Sequence, residues 1–158
     1  MGVMVAVHVG LCSMTIALSG NEAQKEKYLP KLASGEFLGA YSLSEAGSGT
    51  DAAAMVAKAT DDGDCYTLNG EKMWVTNGTT ADLFVLFAKV TDHPDYGKKS
   101  HGGVTCFIIE KGFEGFEIGK KEDKLGIRSS DTCTLILNNC KVPKENVLGE
   151  VGKGFPIA

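Results

Sequence analysis

The chain has 158 residues, of which 43% are hydrophobic and 23% charged, a composition typical of a single globular domain. Its net charge of −4 and pI near 5.4 argue against nucleic-acid binding, because a phosphate backbone requires a basic face. Twenty glycines exceed the average share and favour a turn-rich β domain over a helical bundle.

The first 19 residues carry no charged side chain, over a length that could cross a bilayer. No basic segment precedes them, as a signal peptide requires, and Gly2, His8, Gly10 and Ser13 make the run only moderately apolar. We therefore expect no membrane span, but a helix that is apolar on all sides because it packs inside a larger protein. One β domain cannot surround such a helix, so we expect the natural start of the protein to lie outside this sequence.

Residues 21–33 predict a second helix. Asn21 is a plausible N-cap and Gly35 a plausible stop. The expected apolar side consists of Ala23, Tyr28, Leu29 and Leu32.

From Phe37 onward the hydrophobic period falls to two, which indicates strands. The predicted strands are 55–59, 65–68, 73–76, 83–90, 104–110 and 134–137. The predicted turns are 61–64, 69–70, 77–78 and 138–139, and the polar stretch 92–103 is a predicted surface loop. We expect a mainly β fold, with an antiparallel β-barrel or sandwich as the middle domain, preceded by two α-helices.

This pattern divides the chain into three parts. Residues 1–36 would be the end of an N-terminal helical domain, 37–148 a middle β domain, and 149–158 the start of a C-terminal helical domain. We expect the remainder of that last domain to lie outside this sequence.

The cysteines and histidines indicate neither a disulfide framework nor a metal site. The five cysteines are an odd number, widely spaced and without a Cys-x-x-Cys pair, and the three histidines are equally scattered. We expect no bound metal and a reducing compartment.

Two short polar blocks stand out, YSLSEAGSGTD at 41–51 and KMWVTNG at 72–78, separated by a stretch that predicts a β-hairpin. The first leaves an apolar run and breaks into glycines, which allow a backbone to approach a ligand closely. Its hydroxyls at Ser44, Ser48 and Thr50 suit a flat heterocycle or a phosphate better than a metal.

The second block contains Trp74, the only tryptophan, beside Thr76 and an Asn-Gly turn. The indole offers a rigid face for a ring, and the Thr hydroxyl and nearby amides can meet the polar edge of that ring. Taken alone, each block is ordinary loop or strand chemistry. Their order and spacing favour a binding site.

The amino-acid sequence of the two blocks resembles the flavin-binding signature of the acyl-CoA dehydrogenases. The resemblance rests on Tyr41-x-Leu43-Ser44-Glu45-x-x-x-Gly49-Thr50-Asp51 followed by LNGEKMWVTNG at 68–78. Segments 8–13, 24–35, 122–132 and 142–149 resemble the regions that flank this signature in the family. The resemblance covers nearly the whole chain and is strongest to the short-chain, butyryl-CoA dehydrogenases.

The resemblance implies FAD as cofactor and a role for each matching residue. Tyr41, Leu43 and Ser44 would line the isoalloxazine ring, and Gly49 would lie against the cofactor. Thr50 would contact both the cofactor and the CoA part of the substrate. Across the ring would lie Trp74, Val75 and Thr76, with the Thr76 hydroxyl near N5 or O4. Glu45 would be a structural carboxylate that holds the loop.

The implied activity is α,β-dehydrogenation of acyl-CoA thioesters in fatty-acid or amino-acid breakdown. The partners would be an acyl-CoA substrate, an electron-transfer flavoprotein as electron acceptor, and further copies of the full-length protein in a homo-oligomer. The family's catalytic base is a glutamate that no segment of this chain matches, so we expect this chain to be inactive alone. The location would be the cytoplasm of a prokaryote or the mitochondrial matrix of a eukaryote.

Two other interpretations remain open. The chain could be a non-catalytic binding or interaction module with the same fold. It could also belong to an acyl-CoA oxidase-like flavoprotein.

Overall fold

The computed structural model describes residues 2–158, which form N-terminal helices followed by eight strands. The N-terminal helical elements are α1 (Gly2–Ala6), a π-helical segment (Val7–Ser13), α2 (Met14–Ser19) and α3 (Glu22–Ser34), and two 3-10 turns follow at Ala52–Ala54 and Lys144–Asn146. The strands are β1 (Gly39–Ser42), β2 (Lys58–Asp61), β3 (Cys65–Thr76), β4 (Leu83–Val90), β5 (Val104–Glu110), β6 (Phe116–Lys121), β7 (Thr132–Pro143) and β8 (Val147–Leu148).

The first helix runs without a break from α1 to α2. Only Cys12 and Ile16 of this helix are buried, because the sheet covers one side of it. Six of its large apolar side chains are exposed, namely Val3, Val5, Val9, Leu11, Met14 and Leu18. With a mean hydropathy of 1.8 over 18 residues, it is long and apolar enough to cross a membrane, a test that core helices of soluble proteins also pass. Residues 2–158 therefore do not bury the first helix on all sides.

Helix α3 begins and ends where the sequence predicts. Asn21 and Gln24 form a reciprocal capping box, and Gly35 ends the helix in the left-handed region at φ 77°. The predicted apolar side is wrong at Ala23, which is exposed, whereas Gln24 is buried. Gln24 tolerates burial because its amide donates to the carbonyls of Glu145 and Val147, at 2.7 Å each.

The strands form one mixed sheet of order β6-β7-β3-β2-β4-β5-β8, with β1 paired to β4. The prediction of a purely antiparallel sheet is wrong, because β4 pairs in parallel with both β1 and β2. Parallel strands need crossover connections, whereas the turn signals in the sequence predict only hairpins between successive strands. No pairing between β6 and β8 closes the sheet among residues 2–158, so the structure supports a mainly β fold without barrel closure.

Two predicted strands match the observed ones, β4 and β5. The predicted 55–59 begins three residues early, and 134–137 is the centre of a longer strand. The predicted strands do not include β1, β6 or β8. The predicted strands 65–68 and 73–76 are both parts of the continuous β3.

The predicted turns at 69–70 and 138–139 are wrong for one shared reason. Leu68 pairs with Cys140 and Gly70 with Leu137, so one residue of β3 faces two of β7 in a β-bulge. Gly70 has φ 144° and Asn139 has φ 52°. The Asn and Gly signals therefore report a bulge within paired strands, where positive φ is also required.

Two hydrophobic clusters lie on opposite faces of β4. Leu83, Val85 and Phe87 face the helices, whereas alternate residues such as Phe84 face β3, β6 and β7. The Phe84 and Phe116 rings lie 4.8 Å apart although β4 and β6 are not neighbours in the sheet. The sheet therefore curls over its own core.

Candidate functional site

The first polar block begins where β1 ends at Ser42. Glu45 and Ser48 exchange backbone hydrogen bonds of 2.9 and 3.1 Å, and the Ser48 hydroxyl donates to the carbonyl of Asp51 at 2.8 Å. These bonds fold the block into a tight loop and leave Gly49 and Thr50 exposed at its tip.

A buried ion pair joins this loop to the second block. Lys72 Nζ lies 2.6 Å from Glu45 Oε1, with side-chain exposures of 0% and 4%. The same ammonium donates to the Leu43 carbonyl at 3.1 Å, and the Glu45 carboxylate accepts from the amides of Val56 and Ala57 at 2.6 and 3.1 Å. Desolvation lowers the pKa of Lys72, and the bond to Glu45 opposes that effect. Glu45 therefore holds the loop, as the sequence led us to expect.

A second bulge aims the backbone of β3 at the loop. Lys72 pairs with Leu135 and Val75 with Cys133, so Met73 and Trp74 together face a single residue of β7. The Met73 amide donates to the carbonyl of Ser44 at 2.9 Å. Bulges of this kind turn side chains out of the regular ladder and recur beside binding sites.

Trp74 lies at this bulge in an uncommon conformation. Its φ is 59°, in the left-handed region that bulky residues avoid, and its side chain is 58% exposed. The surroundings thus hold a large aromatic face in water at a conformational cost, a combination that clusters at ligand sites.

The turn after β3 is fastened to the helix and to β1. Asn77, at φ 66°, is buried, and its amide donates to the carbonyls of Met4 and Gly39 at 3.0 and 3.1 Å. Thr79 donates to the Asp131 carboxylate through its amide at 2.8 Å and its hydroxyl at 2.6 Å. Thr76, half-buried, leads into this rigid turn.

The remaining predicted site residues differ in their burial and in the atoms that a ligand could reach. Tyr41 is half-buried against Phe87, with ring centroids 5.3 Å apart, and burial raises the pKa of its hydroxyl. Leu43 is half-buried against the same cluster. Ser44 contributes its carbonyl to Met73, as described above. Val75 is 1% exposed in the core, so only its backbone can face a ligand.

Sequence reasoning missed three positions that shape the site: Lys72, Asn77 and His8. A lysine at an inward position of an alternating strand, with a glutamate in the other block, was a usable signal for the ion pair. His8 accepts from the Gly39 amide at 2.9 Å and contacts the Leu32 carbonyl at 3.0 Å, so it links the first helix to β1 and α3. Nothing in its sequence context marks that role.

The described residues form no metal-binding cluster, and two open clefts lie away from the two polar blocks. Residues 2–158 contain no group of three or more His, Cys, Asp or Glu side chains that could hold a metal ion. All five cysteines are free thiols. Clefts of about 430 and 470 Å³ lie elsewhere, the first beside residues 54–58 and the second between the first helix and α3.

Comparison of the sequence with protein-family models finds two matches, both to domains of one family. Residues 40–140 match the acyl-CoA dehydrogenase middle domain, and residues 1–36 match the acyl-CoA dehydrogenase N-terminal domain. A short-chain specific acyl-CoA dehydrogenase of Clostridium acetobutylicum is 50% identical over 99% of this chain and 40% of its own length. A mitochondrial isovaleryl-CoA dehydrogenase of Pongo abelii is 49% identical over 97% of this chain and 36% of its own length.

Solved structures agree. The crystal structure of an acyl-CoA dehydrogenase complexed with FAD from Bacillus anthracis superposes with a TM-score of 0.90, at 46% identity, over 98% of this chain and 26% of that one. The chain spans about two fifths or less of the length of these relatives. The two family matches together cover most of the sequence. The chain belongs to the acyl-CoA dehydrogenase family.

Proposed function

We propose that this chain forms one wall of the flavin and thioester site of an FAD-dependent acyl-CoA dehydrogenase. The observation that carries the proposal is the buried Lys72–Glu45 pair, which holds the two polar blocks together beside an exposed, strained Trp74. In support, a relative at 46% identity is described as complexed with FAD. We further propose the domain boundaries 1–36, 37–148 and 149–158; the family matches over 1–36 and 40–140 support the division between the first two.

The residues present fit a flavin. The Trp74 face can cover an aromatic ring, and the Thr76 hydroxyl can donate to its polar edge. The amides of Gly49 and Thr50 make no hydrogen bond within residues 2–158 and are free to donate to a phosphate or carbonyl oxygen. Tyr41 and Leu43 add an apolar border that excludes water.

The chemistry divides between cofactor and chain. FAD, when bound, supplies the two-electron acceptor for α,β-dehydrogenation of the thioester. Donors at Ser44 and Thr76 would stabilise negative charge at the ring edge, because preorganised donors cost no reorganisation during the reaction. Thr50 would bind both cofactor and the CoA part of the substrate. Removal of the α proton belongs to a glutamate that no segment of this chain matches.

The partners follow from the family. We propose an acyl-CoA substrate, an electron-transfer flavoprotein as acceptor and a homo-oligomeric whole protein. The short-chain and isovaleryl relatives are 50% and 49% identical, so sequence identity over this segment favours neither acyl group. A bacterial cytoplasm and a mitochondrial matrix both suit such an enzyme.

The proposal is tested by the visible absorption spectrum of the purified chain after addition of FAD and desalting. We expect a retained, structured flavin band that weakens in Thr76→Val. Thr91→Val, at a half-buried position just after β4 and away from both polar blocks, is the matched control and should keep the band. A colourless wild-type protein, or equal loss in both variants, would favour the non-catalytic module.

A second measurement addresses catalysis. The chain should not oxidise butyryl-CoA with a dye acceptor, because it lacks a match to the catalytic glutamate. Turnover by the 158-residue chain would show that this assignment of the base is wrong.

A further inference from the structure

The imidazole of His8 joins three elements near the start of the chain. Its Nδ1 accepts from the Gly39 amide of β1 at 2.9 Å, and its Nε2 lies 3.0 Å from the Leu32 carbonyl of α3. A carbonyl oxygen can only accept, so Nε2 carries the proton and donates to it, and the lone pair of Nδ1 is left for the amide. The two contacts together select one neutral tautomer of the imidazole.

The charged imidazole is incompatible with this arrangement. An imidazolium carries a proton on both ring nitrogens, so its Nδ1–H would face the Gly39 N–H with no acceptor between them. Protonation must therefore break the bond to β1, whereas the bond to the Leu32 carbonyl survives. We call the bond between His8 Nδ1 and the Gly39 amide the histidine latch.

The histidine latch holds a residue that is also fixed from its other side. The Gly39 carbonyl accepts from the buried side-chain amide of Asn77 at 3.1 Å, and that amide also donates to the Met4 carbonyl of the first helix at 3.0 Å. A Cβ at Gly39 would lie 2.5 Å from Cys12 Sγ, so the helix and the strand are in close contact here. The N–H and the C=O of Gly39 thus both connect β1 to the first helix.

From Gly39 the chain runs directly into the proposed flavin site. Strand β1 ends at Ser42 and is followed at once by residues 43–51, which we call the flavin loop. Tyr41, two residues after Gly39, packs its ring against Phe87 of β4. Release of the Gly39 amide would loosen the start of β1 and with it the border of the site.

Solvent protons can reach the imidazole. His8 is half-buried and lines the open cleft of about 470 Å³ between the first helix and α3, and no Asp, Glu, Lys or Arg among residues 2–158 lines that cleft. The titratable groups nearest in sequence on the first helix and β1 are the Cys12 thiol and the Tyr41 hydroxyl. Burial raises the pKa of Cys12 to about 12 and raises that of Tyr41 as well, so both stay protonated at neutral pH.

Charged groups on the neighbouring elements have partners of their own. At the end of α3, the Lys31 ammonium lies 3.7 Å from the Glu36 carboxylate, and the other charged residues of this helix lie at 22–27, in its first half. Before β4, the Asp82 carboxylate accepts from the Leu38 amide at 2.9 Å. None of these groups is bonded to the imidazole, whose bonds within residues 2–158 are those to β1 and α3.

From this arrangement we infer that His8 is a positioning residue for the proposed flavin site and that it acts only as the neutral imidazole. Histidine is the side chain that ordinarily changes charge between pH 5 and 8. Acidification over this range breaks the histidine latch, so β1 is released from the first helix and the affinity for flavin falls. The latch rests on the structure alone, whereas its effect on flavin rests on the proposed function.

The first test is amide hydrogen exchange of the chain, followed by NMR at pH 7.5 and 5.5, with each rate divided by the intrinsic rate at that pH. We expect the protection of the Gly39 amide to fall about tenfold on acidification, through loss of one hydrogen bond. In His8→Gln the change should stay within about twofold, because a side-chain amide accepts and donates at either pH. The matched control, His101→Gln, removes an exposed imidazole and should follow wild type.

The second test is the dissociation constant for FAD, measured by flavin fluorescence over the same pH interval. It should rise at least about threefold in wild type and in His101→Gln, and change less in His8→Gln. His93 is present in all three proteins, so its titration contributes equally to each. Imidazole ¹⁵N shifts of the wild type, which need no variant, should show an unprotonated Nδ1 and a protonated Nε2 on His8 at pH 7.5.

Three results would overturn the inference: a protonated His8 Nδ1 at pH 7.5, Gly39 protection that survives protonation of His8, or the same pH dependence in His8→Gln as in wild type. Failure of the proposed function gives a different result. A chain that holds no FAD at either pH, but whose Gly39 amide opens on acidification, would sink the flavin assignment and leave the latch. Unchanged FAD affinity with an opened Gly39 would sink the positioning role and leave the flavin site.

Discussion

The Lys72 ammonium and the Glu45 carboxylate form an ion pair of 2.6 Å that is removed from solvent. Each partner also bonds backbone, Lys72 the Leu43 carbonyl and Glu45 the amides of Val56 and Ala57. Taking both charges out of water is costly, so such a pair is retained where it specifies a geometry. Here it fixes the flavin loop, the bulge of β3 and the backbone at Val56 and Ala57 in one arrangement.

Lys72→Met should destabilise the chain by about 3–5 kcal/mol, because it leaves the Glu45 carboxylate buried without its counter-charge. Urea unfolding followed by circular dichroism measures the loss. In the double variant Lys72→Met/Glu45→Gln the buried charge is gone, and we expect part of the stability to return. A cost below about 1 kcal/mol for the single variant would contradict the role of the pair.

Trp74→Gly should separate stability from binding. Relief of the positive φ offsets the loss of contacts from a side chain that is already 58% exposed, so stability should stay within about 1 kcal/mol of wild type. Loss of the indole face should weaken FAD binding by at least about tenfold.

Asn139→Gly is the control for that variant, because Asn139 also has positive φ, at 52°, but lies in the other bulge. It should retain FAD as wild type does. Unchanged flavin retention in Trp74→Gly would remove Trp74 from the site.

Asn77→Ala should cost about 2–3 kcal/mol, because the carbonyls of Met4 and Gly39 lose their donor in a buried position. The exposed Asn139→Ala, also at positive φ, shares the backbone strain without the buried carbonyls and should cost less. Chemical unfolding of both proteins measures the difference. Equal losses would mean that backbone strain, and not the amide, explains the effect.

Stability should fall between pH 9 and 11. Burial raises the pKa of Cys133 and of Cys140 from 9.0 to about 11. Below pH 9 these thiols are protonated in both the folded and the unfolded state. Between pH 9 and 11 they ionise in the unfolded chain only. This ionisation stabilises the unfolded state, so the free energy of unfolding declines. Urea midpoints at pH 8, 9.5 and 11 measure the slope.

Other groups also titrate in this range, so a variant isolates the thiols. Cys133→Ala/Cys140→Ala should show a shallower decline than wild type over the same interval. Parallel curves would show that the two thiols do not carry the effect.

The local signals in this sequence determined the local structure. The N-cap at Asn21, the stop at Gly35 and the apolar runs of β4 and β5 were predictable because helix caps and hydrophobic period depend on neighbours in sequence. The two polar blocks were likewise visible, since a ligand loop needs glycines and hydroxyls in a short span.

Only the tertiary structure decided which blocks meet and how. The Asn and Gly positions at 69–70 and 138–139 are compatible with a turn or a bulge, and the pairing of β3 with β7 selects the bulge. The ion pair joins residues 27 positions apart, and Lys58 meets Lys89 across parallel strands. These contacts depend on strand order and register, which the free energy of the whole packed sheet selects and no short segment encodes.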